Sequence, residues 1–338
     1  MSKSLCLLSA LLLSASTALA GQQFAELGDF ALASGGAIAN CRIGYRTGGE
    51  LNADKSNVVV FPTWFGGTTE DLEKYEVVGP GKLADTDRYY VIAIDALANG
   101  VSCSPSNSQA VGGGPVPKIT IGDMVESQYL LLTKHLGITH ARAVMGISMG
   151  GMQTFDWIAS HPDFMDKAVS IAGTPRQTSF DLVEWETQRD LVRALQAKGA
   201  TDAEIGPLMA EVSLLTLYTP DYYLATVPRQ QLPAFIEQRR ESGANFHADD
   251  YVAQLDAMIG QNLLGSGDEG VKAYVDKVKA DVLIIGTSSD HMVNPQPGID
   301  LAPALGAEHL ELSNNCGHLG SSCDGAVVAQ RVAEFLAR

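Results

Sequence analysis

Positive charge is scarce in this sequence. Its 338 residues include 23 lysines and arginines but 39 aspartates and glutamates, which gives a formal net charge of −16 at pH 7. No basic stripe interrupts this acidity, and an acidic surface repels phosphate backbones. We therefore expect no nucleic-acid partner, and the charge indicates a soluble protein.

Clustered metal ligands are also lacking. The chain has no motif such as H-E-x-x-H, the pattern that places two histidines and a glutamate around zinc. A chain of this length can bury a sufficient core without a structural metal. We expect neither a metal ion nor a cofactor, so any chemistry must come from the side chains and the backbone.

Long hydrophobic runs are missing as well. The largely apolar stretch from Leu5 to Ala15 is shorter than the roughly 20 residues that a membrane span needs. Lys3 precedes it, and Ala18-Leu19-Ala20 then offers small residues at the positions that a signal peptidase reads. We predict a signal peptide over residues 1–20, a secreted or periplasmic protein, and no membrane span after cleavage. The alternative is a buried N-terminal helix or a retained anchor.

Cysteine is sparse, with five residues in the whole chain. Removal of the signal peptide would leave four, an even number that suggests disulfides in an exported protein and allows three pairings. Cys316 and Cys323 lie close enough in sequence for an easy local bridge, which would leave Cys41 to pair with Cys103. Four buried free thiols are the alternative.

Short apolar runs alternate with helical patterns along most of the chain. Runs that are apolar almost throughout are typical of parallel strands buried on both faces, and their alternation with helices indicates a parallel sheet. An N-terminal hairpin over about 24–46 should join this sheet. The predicted strands are 57–61, 89–95, 141–147, 167–173, 280–286 and 309–313, and the predicted helices between them include 121–137 and 150–161.

The alternation stops between residues 176 and 275. This stretch has helical patterns and no convincing strand run, and it stands between two strand candidates. We predict a helical lid insertion above the carboxyl edge of the sheet, where α/β proteins bind ligands. The core then consists of residues 21–175 and 276–338.

Gly146-Ile147-Ser148-Met149-Gly150 matches the pattern G-x-S-x-G between a predicted strand and a predicted helix. That context is the nucleophile elbow of the α/β-hydrolase fold, in which a sharp turn exposes the serine oxygen. Glycine is needed two positions before and two positions after the serine, because larger side chains there would clash. We predict Ser148 as the nucleophile, and the Met149 N–H as an oxyanion donor. The alternative is a structural glycine turn.

A serine nucleophile needs a base, and the base needs an orienting acid, which on this fold follow in the order acid and then histidine. Asp290 comes just after the strand 280–286, and His318 just after the strand 309–313. We predict them as acid and base. Asp281 is a weaker rival for the acid because it starts a strand, and His291 fits the order poorly as the base.

The second oxyanion donor should come from the loop after an earlier strand. The stretch Phe61-Pro62-Thr63-Trp64-Phe65-Gly66-Gly67 closes and follows the strand 57–61, and its double glycine permits a close backbone approach. We predict the Trp64 N–H as this donor. Trp64 and Phe65 would also cap the core, and both roles can hold.

Five segments together resemble the homoserine O-acetyltransferase family of α/β-hydrolases, from about residue 40 to the end. They are GELNADKSNVVVF, ITIGDMVESQYLLLTKHLGI, GISMGGMQTFDW, SSDHMVNP and the pair Gly317-His318. The resemblance assigns the same nucleophile, acid, base and oxyanion amides as the residues do. It also implies a homodimer formed through the helical insertion, and Arg189 as the family's substrate-pocket arginine.

The chain departs from that family at positions that would contact the substrate. Members typically have an aspartate directly after the histidine, which is implicated in holding the homoserine amine, whereas this chain has Leu319. The bulky Trp64 and Phe65 replace small residues and indicate a narrower acyl site, with Phe65 among its walls. Acetyl-CoA is not expected outside the cytoplasm. We therefore predict a serine ester hydrolase for small-molecule, short-chain acyl esters, with an O-acyltransferase using acetyl-CoA as the alternative.

Overall fold

The computed structural model describes residues 19–338, which are built around an eight-stranded sheet. Residues 1–18, with most of the predicted signal peptide, lie outside this part of the chain. The strands are β1 (Gln23–Ala31), β2 (Ala37–Gly48), β3 (Val58–Pro62), β4 (Val78–Gly79), β5 (Ala84–Asp85), β6 (Tyr90–Ile94), β7 (Ala141–Ile147), β8 (Met165–Ile171), β9 (Asp281–Thr287) and β10 (Glu308–Leu312). The predicted cleavage after Ala20 stays a prediction.

The order across the sheet is β1-β2-β6-β3-β7-β8-β9-β10, and β4 with β5 forms a separate small sheet. Every pairing from β6 to β10 is parallel, whereas β1 and β2 pair in antiparallel fashion and β2 is antiparallel to β6. The predicted mostly parallel sheet with an N-terminal antiparallel hairpin is therefore confirmed. Because β3, β7, β9 and β10 are parallel, their carboxyl ends meet at one edge of the sheet.

Helices cover both faces of the sheet. They are α1 (Thr69–Lys74), α2 (Ile121–Leu130), α3 (Met149–Ser160), α4 (Ser179–Ala197), α5 (Asp202–Val212), α6 (Leu214–Leu217), α7 (Pro220–Thr226), α8 (Leu232–Glu241), α9 (Ala248–Ile259), α10 (Gly267–Val275), α11 (Gln296–Leu305), α12 (Gly320–Cys323) and α13 (Gly325–Ala337). The predicted helix 121–137 is α-helical only to Leu130 and continues as a π-helical turn, Leu131–His135. Among residues 19–338, no helix has the length and apolarity that crossing a membrane requires.

The central strands are buried on both sides. In β3, Val58 and Val60 belong to a core cluster that includes side chains of α2 and α3, whereas Val59 and Phe61 belong to a second cluster that includes side chains of α13. Burial of both faces explains why these strands are apolar almost throughout instead of alternating apolar and polar residues.

The stretch predicted as the lid holds the helices α4 to α10. Residues from α4, α5 and α9 form a hydrophobic cluster of their own. The helix α10 packs on the main core instead, where Tyr274 is buried and donates its hydroxyl to the carbonyl of Phe155 at 2.7 Å. The division of the chain at residues 175 and 276 stays a prediction.

Asp95 ties together three segments at the end of β6. Its carboxylate accepts hydrogen bonds from Gln22, from Asn99 and from both the backbone N–H and the hydroxyl of Thr69, at 2.8 to 3.0 Å. The side chain is fully buried, and burial raises its pKa. This carboxylate thereby holds the start of α1, which directly follows the loop 63–67.

We expect Asp95→Ala to lower the free energy of unfolding by about 3 kcal/mol, because it leaves several buried donors without an acceptor. Urea denaturation measures the change. Asp87→Ala, at an exposed position with no side-chain hydrogen bond among the described residues, is the control and should change the free energy by less than about 0.5 kcal/mol. Equal effects of the two substitutions would contradict the role of Asp95.

Candidate active site

Ser148 stands on a sharp turn between β7 and α3. Its φ is +58° and its ψ is −122°, a conformation that non-glycine residues rarely adopt. A Cβ at Gly146 would lie 2.4 Å from the backbone of Gly150, and a Cβ at Gly150 would lie 2.6 Å from the carbonyl oxygen of Pro62. The two glycines are therefore required by backbone contacts, and the turn is held against the end of β3.

The structure brings the predicted nucleophile, base and acid into one chain of hydrogen bonds. The Oγ of Ser148 lies 2.8 Å from the Nε2 of His318, and the Nδ1 of His318 lies 2.8 Å from the Oδ2 of Asp290. Because the carboxylate can only accept, Nδ1 carries the proton and Nε2 is free to accept from the serine hydroxyl. This is the arrangement that general-base activation of a serine requires.

Asp290, the predicted acid, is fixed on its other side as well. The Oδ1 of Asp290 accepts the backbone N–H groups of Met292 and Val293 at 2.9 and 3.0 Å, and its side chain is almost fully buried. The alternative candidates for the acid and the base lie elsewhere. Asp281 starts β9 at the opposite edge of the sheet and pairs with Lys167 at 3.0 Å, and His291 is exposed.

The charge balance around His318 favours its protonated form. Burial alone lowers the pKa of His318, but the charge and hydrogen bond of Asp290, together with the charge of Glu184, outweigh burial and raise it. Glu184 lies on α4, where burial raises its own pKa to about 7. Its Oε1 accepts from Gln188 at 3.0 Å and from Thr216 at 2.5 Å. Its buried Oε2 has no partner among the described residues.

The two predicted oxyanion donors flank the serine turn. The N–H of Met149 is in the first turn of α3, where a backbone donor has no acceptor within the helix. The N–H of Trp64 has no hydrogen-bond acceptor among the described residues. The Trp64 indole packs over Gly67, where a Cβ would lie 2.3 Å from its Nε1. Trp64 therefore packs at the edge of the core and leaves its backbone donor free.

Hydrogen bonds join the predicted lid to each loop of the site. Asp181 of α4 accepts the N–H of Asn294, in the loop of the acid, at 3.1 Å. Gln254 of α9 accepts the N–H of Gly66 at 2.8 Å. The hydroxyl of Thr219, ahead of α7, donates to the carbonyl of Asn315 at 2.5 Å. The lid thus contacts the acid loop, the oxyanion loop and the histidine loop.

The three predicted substrate-binding residues are placed differently from one another. The ring of Phe65 packs against Tyr251 of α9, with centroids 4.7 Å apart. Leu319 directly follows the base and is half-buried. The guanidinium of Arg189 pairs with Asp256 of α9 at 3.3 Å and with Asp190 at 3.1 Å, so it is committed to ion pairs within the lid. Substrate contact by these residues stays a prediction.

Both expected disulfides are present. Cys41 and Cys103 join β2 to the loop after β6, with Cα atoms 5.5 Å apart. Cys316 and Cys323 are joined with Cα atoms 6.6 Å apart and enclose the short segment that carries His318.

Glu184 and Gln254 are site neighbours that the sequence did not reveal. Each lies on an amphipathic helix, and the helical pattern does not tell which polar residue points inward. Gln254 is 1% exposed and also donates to the carbonyl of Leu97 at 3.0 Å. A glutamine on the apolar face of α9 is the one signal that could have indicated a buried contact.

We expect Glu184→Gln to move the acidic limb of the pH dependence of kcat/KM to lower pH. In the predicted mechanism His318 must be neutral to accept the serine proton, and this limb would report the pKa of His318 in the free enzyme. Loss of the Glu184 charge removes one of the influences that raise that pKa. A pH series of aryl-ester hydrolysis measures the shift. The exposed Glu186 of the same helix provides the control: Glu186→Gln should leave the limb in place, and an unmoved limb in both variants would contradict this assignment.

We expect the two disulfides to contribute differently: the long bridge more to stability, and the short bridge more to activity. In the loop-entropy account, removing the short Cys316–Cys323 bridge costs about 2 kcal/mol and removing the long Cys41–Cys103 bridge about 4 kcal/mol. Paired Cys→Ser variants, measured by urea denaturation and initial rates, test this. The 316/323 variant should lose more kcat because its bridge encloses the base, and the reverse order of kcat losses would be the contrary result.

The comparisons with known proteins agree on the fold. A protein-family profile described as the alpha/beta hydrolase fold matches residues 57–321. The acetylester hydrolase structure from Corynebacterium glutamicum superposes with a TM-score of 0.84 at 25% identity, covering 94% of this chain and 96% of that one.

Two curated relatives represent the two activities in question. The ethyl acetate hydrolase of Pseudomonas veronii is 37% identical over 159 residues, 47% of this chain and 45% of that protein. The chain thus spans about half the length of the esterase relatives that it matches. The homoserine O-acetyltransferase of Chlorobaculum tepidum is 30% identical over 328 residues, 89% of this chain and 90% of that protein. The profile match and these relatives show that the chain belongs to the α/β-hydrolase fold family, among the relatives of the homoserine O-acetyltransferases.

Proposed function

We propose that the protein is a serine carboxylic ester hydrolase acting on short-chain acyl esters. The observation that carries the proposal is the continuous chain of hydrogen bonds from Ser148 through His318 to Asp290, at 2.8 Å for each contact. Similarity to an ethyl acetate hydrolase and to an acetylester hydrolase supports the reaction class.

Acylation begins when the Oγ of Ser148 attacks the ester carbonyl carbon. The Nε2 of His318 accepts the serine proton, and Asp290 stabilises the resulting imidazolium through the hydrogen bond at Nδ1. The carbonyl oxygen becomes an oxyanion that the N–H groups of Trp64 and Met149 receive. Collapse of the tetrahedral intermediate breaks the bond to the alcohol, which leaves with the proton from Nε2.

Deacylation repeats these steps with water. His318 takes a proton from the water as it attacks the acyl carbon, and a second oxyanion forms in the same place. Collapse breaks the bond to the Oγ of Ser148, which regains a proton from Nε2, and the carboxylic acid is released. The buried position of His318, 6% exposed, strengthens the electrostatic contribution of Asp290 in both halves.

Several features support a short acyl group and water as the acceptor. The bulky Trp64 and Phe65 follow β3, and the ring of Phe65 packs against Tyr251 of the helix α9. Leu319 cannot pair with an ammonium group, which argues against homoserine. A secreted or periplasmic location, which is part of this proposal, would keep the enzyme away from acetyl-CoA.

An O-acyltransferase activity with acetyl-CoA is the second candidate. The similarity to a homoserine O-acetyltransferase over 89% of this chain favours it. The chemistry is the same as far as the acyl-enzyme, and only the acceptor differs. Incubation of the purified protein with acetyl-CoA and homoserine separates the two: formation of O-acetylhomoserine faster than free acetate would favour the transferase.

We expect Ser148→Ala to lower kcat for p-nitrophenyl acetate by about 10⁴-fold or more, since the nucleophile and base act as a unit. Initial rates across the acetate, butyrate and octanoate esters measure both the loss and the chain-length preference, which should favour acetate. Ser170→Ala removes a buried hydroxyl in β8 that bonds to the carbonyl of Gly151 at 3.2 Å, and this control should retain activity. Turnover that survives in Ser148→Ala would refute the assignment.

A further inference from the structure

A row of buried polar side chains runs beneath the serine turn and ends at the oxyanion loop. The indole Nε1–H of Trp157 donates to the Oε1 of Gln128 at 2.8 Å, and the Nε2 of Gln128 donates to the Oε1 of Gln153 at 2.6 Å. The Nε2 of Gln153 then donates to the carbonyl oxygens of Thr63 and Met149 at 3.0 and 3.1 Å. Trp157, Gln128 and Gln153 are all 0% exposed.

The direction of this row is determined at both ends. An indole nitrogen can only donate, so Gln128 must turn its oxygen toward Trp157 and its NH₂ group toward Gln153. Gln153 must then receive that bond with its oxygen, which leaves its NH₂ group facing the two carbonyls. Carbonyls can only accept, so the far end demands the same orientation. No other arrangement of the two amide groups satisfies every member of the row.

The carbonyl of Thr63 belongs to the same peptide group as the N–H of Trp64. A peptide group is planar, and no described peptide bond is cis, so this C=O and N–H point in opposite directions along one rigid plane. Holding the carbonyl oxygen on Gln153 therefore holds the direction of the Trp64 N–H. A donor on the carbonyl also polarises the peptide and strengthens the N–H as a donor, an effect that grows in a buried site.

The second bond of Gln153 goes to the carbonyl of Met149, in the first turn of α3. Met149 supplies the other proposed donor, and Gln153 lies one helical turn beyond it on α3. One side chain thus connects the loop after β3 with the first turn of the nucleophile helix. Neither backbone segment could shift alone without breaking a hydrogen bond of a fully buried side chain, which costs free energy.

We propose that Gln153 is a positioning residue for the oxyanion site: it orients the Thr63–Trp64 peptide so that the Trp64 N–H points at the developing oxyanion. Gln128 and Trp157 hold Gln153 in the required orientation. This inference rests on the proposed ester hydrolysis. It assigns the buried glutamine row a role in the transition state that packing alone would not give it.

Gln153→Met tests the inference because methionine has a similar shape and no hydrogen-bond donor. We expect kcat for p-nitrophenyl acetate to fall about tenfold to a hundredfold, somewhat less than the loss of a whole oxyanion donor, with KM nearly unchanged. The inhibition constant of an acyclic trifluoromethyl ketone, which forms an oxyanion on the serine, should rise by a similar factor.

Gln261→Met is the matched control. Gln261 is another buried glutamine that bonds to a carbonyl of α3, that of Met152 at 3.0 Å, but it has no contact with the oxyanion loop among the described residues. Gln261→Met should lower the free energy of unfolding about as much as Gln153→Met does, while its kcat and its inhibitor affinity stay unchanged. If Gln153→Met does not fold, Trp157→Phe provides the second variant, since it removes the first donor of the row and should change the same quantities by a smaller factor.

The outcomes separate this inference from the proposed function. If the unmodified protein hydrolyses the ester and Gln153→Met or its substitute matches the Gln261→Met control, the positioning role is wrong while ester hydrolysis stands. A loss of kcat with unchanged trifluoromethyl ketone affinity would also overturn it. If the unmodified protein neither hydrolyses the ester nor binds the ketone, the proposed function fails and this inference fails with it.

Discussion

The turn at Ser148 depends on close packing between backbone segments on either side of it. The backbone of β7 approaches the start of α3 so closely that Gly146 could not carry a Cβ, and the same helix start lies against the carbonyl of Pro62. This crowding holds the serine in a rarely occupied conformation, because relaxation would push one backbone segment into another.

The rest of the site follows from that contact. Since the serine turn lies against the end of β3, the loop after β3 offers its free backbone donor close to the proposed nucleophile. Parallel strands place Asp290 and His318 at the same edge of the sheet. Residues of the predicted lid contact the loops that carry them and the loop after β3. The buried imidazole is hydrogen-bonded to Asp290, and the charges of Asp290 and Glu184 together outweigh burial and raise the pKa of His318. The proposed reaction needs that balance when the imidazolium forms.

The sequence predicted the sheet and the three residues that the structure brings together at the candidate site, because both leave local signals. Strands buried on two faces appear as short apolar runs, and the glycines around Ser148 record a steric requirement at fixed spacing. The buried amide row left no such signal, since Gln128 and Gln153 meet through a contact 25 residues apart that depends on helix packing. The inward-facing Glu184 was hidden for the same reason. The ion pair of Arg189 with Asp256 left no local signal either, because the two residues lie 67 positions apart on different helices.

The central claim is that Ser148 is a nucleophile activated by His318. Peptide-level mass spectrometry after treatment with a fluorophosphonate probe tests it most directly. The account predicts a single phosphonylated serine, Ser148, with a labelling rate that falls sharply in His318→Ala. A protein that hydrolyses esters while the probe modifies another serine, or none, would contradict the account.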